Sequence, residues 1–411
     1  MTVAISERRY AIGDLAPRHV IRPTTPEEAA AALKMAEDAG EKVVPWGAGT
    51  KQRWGNAPTG YDLALDVTAL DQLVEYEPAD LVVTAQAGMR LATLQDHLAK
   101  SGQFLPLDPP YLDRATLGGT LATNASGPSR FLYGTARDFV LGLRVATPRG
   151  ELVKSGGRVV KNVVGYDLNK LHVGGFGTAG VIVECTFKVQ PLTAAEATVR
   201  AVFGDLAAAS ALASRVARSN LFVRAVELVR HFASKEWGVL VWCAGAAKAV
   251  ERQVRDITTW AGEAGATDLS RRGGDDHTRI WERDLPTFHR VDGGPGLAVL
   301  KLTCLPSQLP VLLARVPATA GVLAHAGNGI AYVAVSAPTL DEIRRLSAAA
   351  HELGGSAVLE EAPDELKRQI DSWDPAGLAA TSRTDYDLMR SIKAQFDPKS
   401  TLNPGRFVAG I

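Results

Sequence analysis

An α+β fold of more than one domain is predicted by three features of this sequence. The first 190 residues alternate strand-like and helix-like segments in the βαβ manner. Residues 116–182 hold 13 of the 39 glycines and close on a β-type run, Val181-Ile-Val-Glu-Cys-Thr-Phe-Lys-Val. From Pro191 onward the character changes, and strand-like runs alternate with alanine-rich helices that suit packing on one face of an antiparallel sheet. Glycine at about twice the chain average allows close backbone approach, at an entropic cost that an ordinary core segment has no reason to bear.

Composition excludes several classes. The 411 residues are 46% hydrophobic and 22% charged, with 45 Lys+Arg against 45 Asp+Glu, so no net field draws the chain to nucleic acid or an anionic surface. The start, Met-Thr-Val-Ala-Ile-Ser-Glu-Arg-Arg, lacks the basic-then-apolar order of a signal peptide, and no run reaches the ~18 apolar residues of a membrane span, which predicts a cytoplasmic protein. Cys185, Cys243 and Cys304 stand far apart in apolar surroundings. They read as buried thiols without the C-x-x-C spacing of a zinc or iron–sulfur site.

In chain order, His19 to Arg22 reads as a strand. Thr25-Pro26-Glu27-Glu28 then supplies an N-cap, a proline at the first helical position and a capping-box glutamate for a helix that Gly40 stops. The strand Lys42 to Pro45 runs into Trp46-Gly-Ala-Gly-Thr-Lys-Gln-Arg53, a glycine loop whose successive N–H groups form a nest for a diphosphate. It lacks the P-loop ending, which argues against ATP or GTP chemistry. Tyr61 to Val67 alternates as a strand, Leu81 to Ala87 reads as another, and Leu91 to Lys100 has helical spacing. Phe104 to Pro110 breaks regular structure with three prolines. Gly175-Phe-Gly-Thr-Ala-Gly180 spells G-x-G-x-x-G, but a strand-type run follows it where a nicotinamide site needs a helix.

Several phrases in combination resemble the flavin domain of the p-cresol methylhydroxylase/vanillyl-alcohol oxidase superfamily. They are Pro45 to Thr50, Thr116-Leu-Gly-Gly with Asn124-Ala-Ser-Gly127, Tyr133-Gly-Thr-Ala-Arg-Asp138, Lys161-Asn-Val-Val-Gly-Tyr-Asp167 and Gly177 to Ile182. Phe396-Asp-Pro-Lys-Ser-Thr-Leu-Asn-Pro-Gly-Arg406 resembles the returning C-terminal segment of the 2-hydroxy-acid branch, and the whole chain is similar to the FAD-binding subunits of bacterial glycolate dehydrogenase. The resemblance implies a two-part FAD-binding domain over residues 1–190, a ferredoxin-like α+β cap over 191–385, and a segment 386–411 packing back on the FAD domain. It implies FAD held non-covalently by Pro45, Trp46, Gly47, Ala48, Gly49, Thr50, Lys51 and Gln52 and by Asp108, Pro109, Thr116, Leu117, Gly118 and Gly119. Asn124, Ser126, Gly127, Tyr133, Gly134, Gly180, Val181, Ile182, Asn403 and Arg406 complete the set, with Ser126 a candidate hydroxyl donor. Some relatives attach FAD through a histidine in the first loop, where this chain has Thr50 and Lys51. Four or five charge-assisted hydrogen bonds of about 1.5–3 kcal/mol each, with ring burial, supply the ~12 kcal/mol of a nanomolar site without a covalent bond.

The cap departs from the catalytic relatives. Their H-x-G-D-G-N-x-H phrase is reduced to His325-Ala-Gly-Asn-Gly-Ile-Ala-Tyr332, and Glu360-Glu361-Ala-Pro stands where they carry E-H-G-x-G. No metal site is expected. His325 and Tyr332 are weak catalytic candidates, with His289 a further candidate base. The expected role is therefore a FAD-binding subunit that supports electron transfer. As partners the resemblance implies a homologous catalytic FAD subunit and an iron–sulfur subunit of glycolate dehydrogenase, in a complex at most peripheral to the inner membrane. The alternatives are an autonomous FAD-dependent 2-hydroxy-acid oxidoreductase and a scaffold that has lost its chemistry.

Overall fold

The computed structural model describes residues 7–158, 166–285, 296–377 and 384–411. His289, most of the Asp292 to Gly296 turn and residues 161–165 of the Lys161 to Asp167 motif lie outside them. Contacts divide the chain into two units, residues 1–126, 135–192 and 381–411, and residues 127–134 with 193–380.

The first unit opens with β1 (His19–Ile21), helix α1 (Pro26–Ala39) and β2 (Val43–Trp46). Thr25 caps α1 by accepting from the Glu28 amide at 3.1 Å, and Gly40 ends it at φ 70° in the left-handed region. The capping box is displaced by one residue, because the Glu28 carboxylate accepts from the Thr24 amide and hydroxyl. The opening is not a simple βαβ pair. β3 (Leu63–Asp66) lies between β1 and β2, parallel to both. All four β3 residues are buried, as suits the central strand of a parallel sheet and not the alternation expected of it.

A five-stranded antiparallel sheet follows. β4 (Leu73–Glu77) and β5 (Val82–Gln86) come before α2 (Leu91–Ala99). The short β6 (Gln103–Phe104) precedes helix α3 (Leu117–Thr123), β7 (Val140–Ala146), β8 (Leu152–Gly156), β9 (Val181–Lys188) and β10 (Gln190–Pro191). The sheet order is β4-β5-β9-β7-β8, with β6 and β10 forming a separate pair. The G-x-G-x-x-G phrase leads directly into β9, so no helix follows it.

The C-terminal segment closes this unit. Helix Thr384–Phe396 leads to Asp397, whose carboxylate accepts from the Lys393 ammonium at 2.5 Å and from the amides of Thr401 and Leu402 at 2.8 Å each. Lys393 also donates to the carbonyls of Thr178 and Leu402. Thus fixed, residues 401–403 lie along β2: the Val43 amide donates to Thr401 O at 2.7 Å and the Asn403 amide to Val43 O at 2.8 Å. Leu402 enters the core between α1, β2 and β3.

The second unit is an eight-stranded antiparallel sheet of β11 (Ala195–Phe203), β12 (Ala225–Arg230), β13 (Trp237–Gly245), β14 (Asp268–Arg272), β15 (Leu297–Thr303), β16 (Gly321–His325), β17 (Ile330–Ser336) and β18 (Ala357–Glu361). Its order is β14-β11-β13-β12-β16-β17-β15-β18. Helices Leu206–Ala217, Ala247–Glu263, Leu309–Ala314 and Leu340–Glu352 bury Leu212, Ile257, Leu312 and Leu346 with Val199, Val239, Leu300 and Val333 of the strands. The register sends alternate residues to the opposite face, where Trp242, Trp281, Leu323 and Tyr332 form a second cluster.

His172 of the first unit is 5% exposed, and burial lowers its pKa to about 4. The unfolded chain binds this proton below about pH 6.5, whereas the folded chain binds it only near 4. Its stabilising contribution is therefore complete above pH 6.5 and is lost as pH falls from 6.5 through 4, by about 3 kcal/mol in all. Urea denaturation at pH 7 and pH 4.5 is expected to show a smaller stability loss in His172→Phe than in the parent chain.

Candidate functional site

A cavity of about 710 Å³, its open mouth included, lies wholly in the first unit. The loop after β2 forms one wall, from Pro45 through Trp46, Gly47, Ala48, Gly49, Thr50, Lys51 and Gln52. Thr116, Gly118, Gly119, Ala122 and Thr123 of α3 and its cap form a second, and Phe176, Gly177, Gly180, Val181 and Ile182 a third. Val67, with Asn403 and Arg406 of the C-terminal segment, completes the lining.

Each wall has a local cause. Thr116 is the N-cap of α3, its hydroxyl accepting from the Gly119 amide at 3.3 Å. The loop touches that cap: a Cβ on Gly47 would sit 2.2 Å from Thr116 Oγ1, so only glycine lets the two segments meet. Gly118 serves internal packing and not the ligand, since its Cβ would meet Ala87 at 2.9 Å. Gly180 is similar, with Val145 Cγ1 2.4 Å from an added Cβ. Much of the glycine density read as ligand approach is thus backbone meeting protein. Gly119 differs, because a Cβ there meets only the Thr116 hydroxyl, at 3.1 Å.

Arg406 holds the first loop. It is 2% exposed, and its guanidinium donates to Gln52 O at 2.5 Å, to Trp54 O at 2.9 Å, to Asn56 O at 3.5 Å and to the Gln52 side-chain oxygen. Gln52 Nε2 in turn donates to Pro45 O at 2.7 Å. Desolvation lowers the Arg406 pKa to about 10, which leaves it charged at neutral pH. Lys51, 7% exposed, brings a second cation to the lining, with its ammonium 3.4 Å from Pro110 O.

Other expected site residues lie elsewhere. Leu117 points into the core, and Asp108, Pro109, Asn124 and Ser126 do not line the cavity. Ser126 is 6% exposed and its Oγ makes no hydrogen bond with the described residues, so the candidate hydroxyl donor is enclosed in protein. Gly127, Tyr133 and Gly134 belong to the second unit. There the Tyr133 ring lies 5.7 Å from the Arg224 guanidinium, and Ser129 accepts from Arg224. Phe176, at φ 55°, was without a periodic signal in the sequence.

The weak catalytic candidates also lie in the second unit. His325 Nδ1 donates to both Glu227 oxygens, at 2.9 and 2.8 Å, and each residue is 1% exposed. A carboxylate only accepts, so Nδ1 carries the proton. Tyr332 packs edge-on to His325 at 5.5 Å, and burial, with the Glu360 charge, raises its phenol pKa far above the ordinary range. Glu227 had no sequence signal, since its partner is 98 residues away. Among the described residues no group of three or more His, Cys, Asp or Glu could hold a metal ion, and no helix is long and apolar enough to cross a membrane.

A cavity of this volume, walled by a cation-bearing glycine loop, a capped helix start and an apolar strand end, fits an extended ligand with an anionic centre and a flat ring. That combination defines a nucleotide-cofactor-binding protein. Residues 17–156 match the model of the FAD binding domain, and residues 376–407 that of the FAD linked oxidases, C-terminal domain. The chain is 31% identical over 368 residues to glycolate oxidase subunit GlcE of Escherichia coli (strain K12), covering 89% of this chain and 93% of the relative. It is 26% identical over 430 residues to glycolate oxidase subunit GlcD of Bacillus subtilis (strain 168), covering 96% and 89%. A solved structure of alkyldihydroxyacetonephosphate synthase superposes with a TM-score of 0.72 at 16% identity, covering 98% of this chain and 81% of that one. The chain belongs to the FAD-linked oxidases of the p-cresol methylhydroxylase type, a family of FAD-dependent oxidoreductases, and FAD is its cofactor.

Two outcomes check the site. Gly119→Leu is expected to fold with near-parent stability but purify without flavin absorbance, whereas retained flavin would contradict the placement. Glu227→Ala, which strips one partner from a buried pair, is expected to cost about 3–5 kcal/mol in urea denaturation.

Proposed function

We propose that this chain is the FAD-binding, non-catalytic flavin subunit, of the GlcE kind, in a multi-subunit 2-hydroxy-acid dehydrogenase acting on glycolate. In this reading it holds FAD in the first-unit cavity and supports electron transfer, while a homologous FAD subunit oxidises the substrate and an iron–sulfur subunit takes the electrons onward. The carrying observation is the burial of His325 and Tyr332, the two sequence-named catalytic candidates that fall among the described residues. His325 and its partner Glu227 are each 1% exposed, out of reach of a substrate, and the raised pKa of Tyr332 keeps the phenol protonated at neutral pH. The degraded histidine phrases of the sequence point the same way.

FAD supplies two-electron redox chemistry when bound; the rest is done by the protein's own residues. The loop from Gly47 to Lys51, which runs into the carbonyls that Arg406 holds, and the Lys51 ammonium line the cavity and are suited to its diphosphate. Val181 and Ile182 at the start of β9, with Phe176, offer apolar surface to a ring system. The loop has Thr50 and Lys51 where some relatives attach the flavin through histidine, so the cofactor is held non-covalently. The complex is peripheral to a membrane at most.

Acid precipitation of the holoprotein is expected to release all FAD into the supernatant, and flavin remaining with the pellet would contradict non-covalent binding. The isolated chain is expected to reduce an artificial dye with glycolate or lactate at rates well below the ~1 per second of ordinary enzymes. Co-expression with the two partner subunits is expected to restore glycolate-dependent dye reduction. Ordinary turnover by the isolated chain would establish an autonomous oxidoreductase instead, and full activity of the other two subunits without it would remove its role in the complex.

A further inference from the structure

Trp46, at the end of β2, forms part of the cavity lining, and the groups that hold its indole lie outside that lining. It is 6% exposed, and its Nε1 donates to the Tyr61 hydroxyl at 2.6 Å. An indole N–H only donates and a main-chain carbonyl only accepts, so the Tyr61 proton goes onward to Tyr10 O, at 2.9 Å. The Tyr10 hydroxyl donates in turn to Asp66 Oδ2 at 2.7 Å, and the other Asp66 oxygen accepts from the Thr68 amide and hydroxyl. The Tyr10 ring stands edge-on to the indole, with centroids 5.1 Å apart. Burial raises both phenol pKa values, that of Tyr10 to about 12, so every donor in this run keeps its proton at neutral pH. A buried polar run in which each donor has its acceptor leaves the ring a single orientation.

The glycine loop rests on the benzo ring of the same indole. Gly49 turns the loop at φ 74°, and a Cβ there would sit 2.8 Å from Trp46 Cζ3, so no side chain fits between this left-handed turn and the ring. We propose that Tyr10 and Tyr61 are positioning residues for the FAD loop: they fix the tilt of Trp46, and the indole sets the course of Gly47 to Thr50. Arg406 holds the far half of the loop, from Gln52 onward, and the indole seats the near half. Cofactor affinity then depends on Tyr10 in the N-terminal segment, a residue that does not line the cavity. The inference rests on the cavity being the FAD site.

The test titrates apoprotein with FAD, reading Kd from flavin fluorescence, and records urea denaturation of the same apoproteins. Tyr61→Phe, which keeps the ring and removes the hydroxyl, is expected to weaken FAD binding about fivefold or more. Trp46→Phe cuts the same hydrogen bond from its other end, so the double variant is expected to bind no more than about twofold less tightly than the weaker-binding single variant. Tyr10→Phe, which removes only the bond to Asp66, is expected to weaken binding about threefold, and its Kd is decisive if Tyr61→Phe does not fold. A folded Tyr61→Phe protein with the parent Kd, whatever its urea midpoint, would show a merely structural role and overturn the inference. Penalties of Tyr61→Phe and Trp46→Phe that multiply in the double variant would overturn it too, as would a parent Kd in Tyr10→Phe where that variant decides. FAD affinity unchanged by Gly119→Leu would instead count against the cavity as the FAD site, so the two failures are separable.

Discussion

The first unit depends on one buried guanidinium. Arg406 arrives 354 residues after Gln52 and ties the carbonyls of Gln52, Trp54 and Asn56 to the C-terminal segment. A glycine-rich loop has no shape of its own, because its entropy favours many conformers. The charge selects one of them, at a desolvation cost that lowers the Arg406 pKa but leaves it ionised. Reciprocal bonds from the Asn56 amide to Arg406 O and from the Thr59 amide to Pro404 O make loop and segment a single structure.

Arg406 can act only if the tail reaches the loop in register. Lys393 and Asp397 provide that register from the other end of the segment, turning the chain so that residues 401–403 run beside β2. Leu402 then adds an apolar anchor in the core under α1. A buried ion pair, a core leucine and a buried arginine thus succeed one another within 14 residues, Lys393 to Arg406. Cavity lining and tail are therefore tied together, through the first loop and through β2.

Local chemistry was the legible part of the sequence. The caps of α1, the loop after β2, the strand after the decoy glycine phrase and four of the eight strands of the second unit follow from periodicity and turn residues. The remaining strands of that sheet were obscured. β14 is a charged edge, and β12 and β16 carry Glu227 and His325, which face each other across the ladder and read as polar interruptions when taken separately. β3 broke its expected alternation because both of its faces are covered. Glycine density located the cavity but not the reason for each glycine, since Gly118 and Gly180 answer to Ala87 and Val145. Arg406 and Asn403 were legible as site residues through resemblance, whereas their hydrogen-bond partners, hundreds of residues away, required the fold.

Amide hydrogen exchange in residues 47–56 tests the central claim most directly, comparing the parent with Arg406→Met, which keeps much of the side-chain volume and removes the donors. Losing hydrogen bonds from a charged donor raises local opening sharply, so the account predicts exchange at least about tenfold faster in this loop, with β5, β7 and β9 unchanged. Loop exchange as slow in Arg406→Met as in the parent would show that the loop holds its own shape, and would contradict the dependence of the site on the C-terminal arginine.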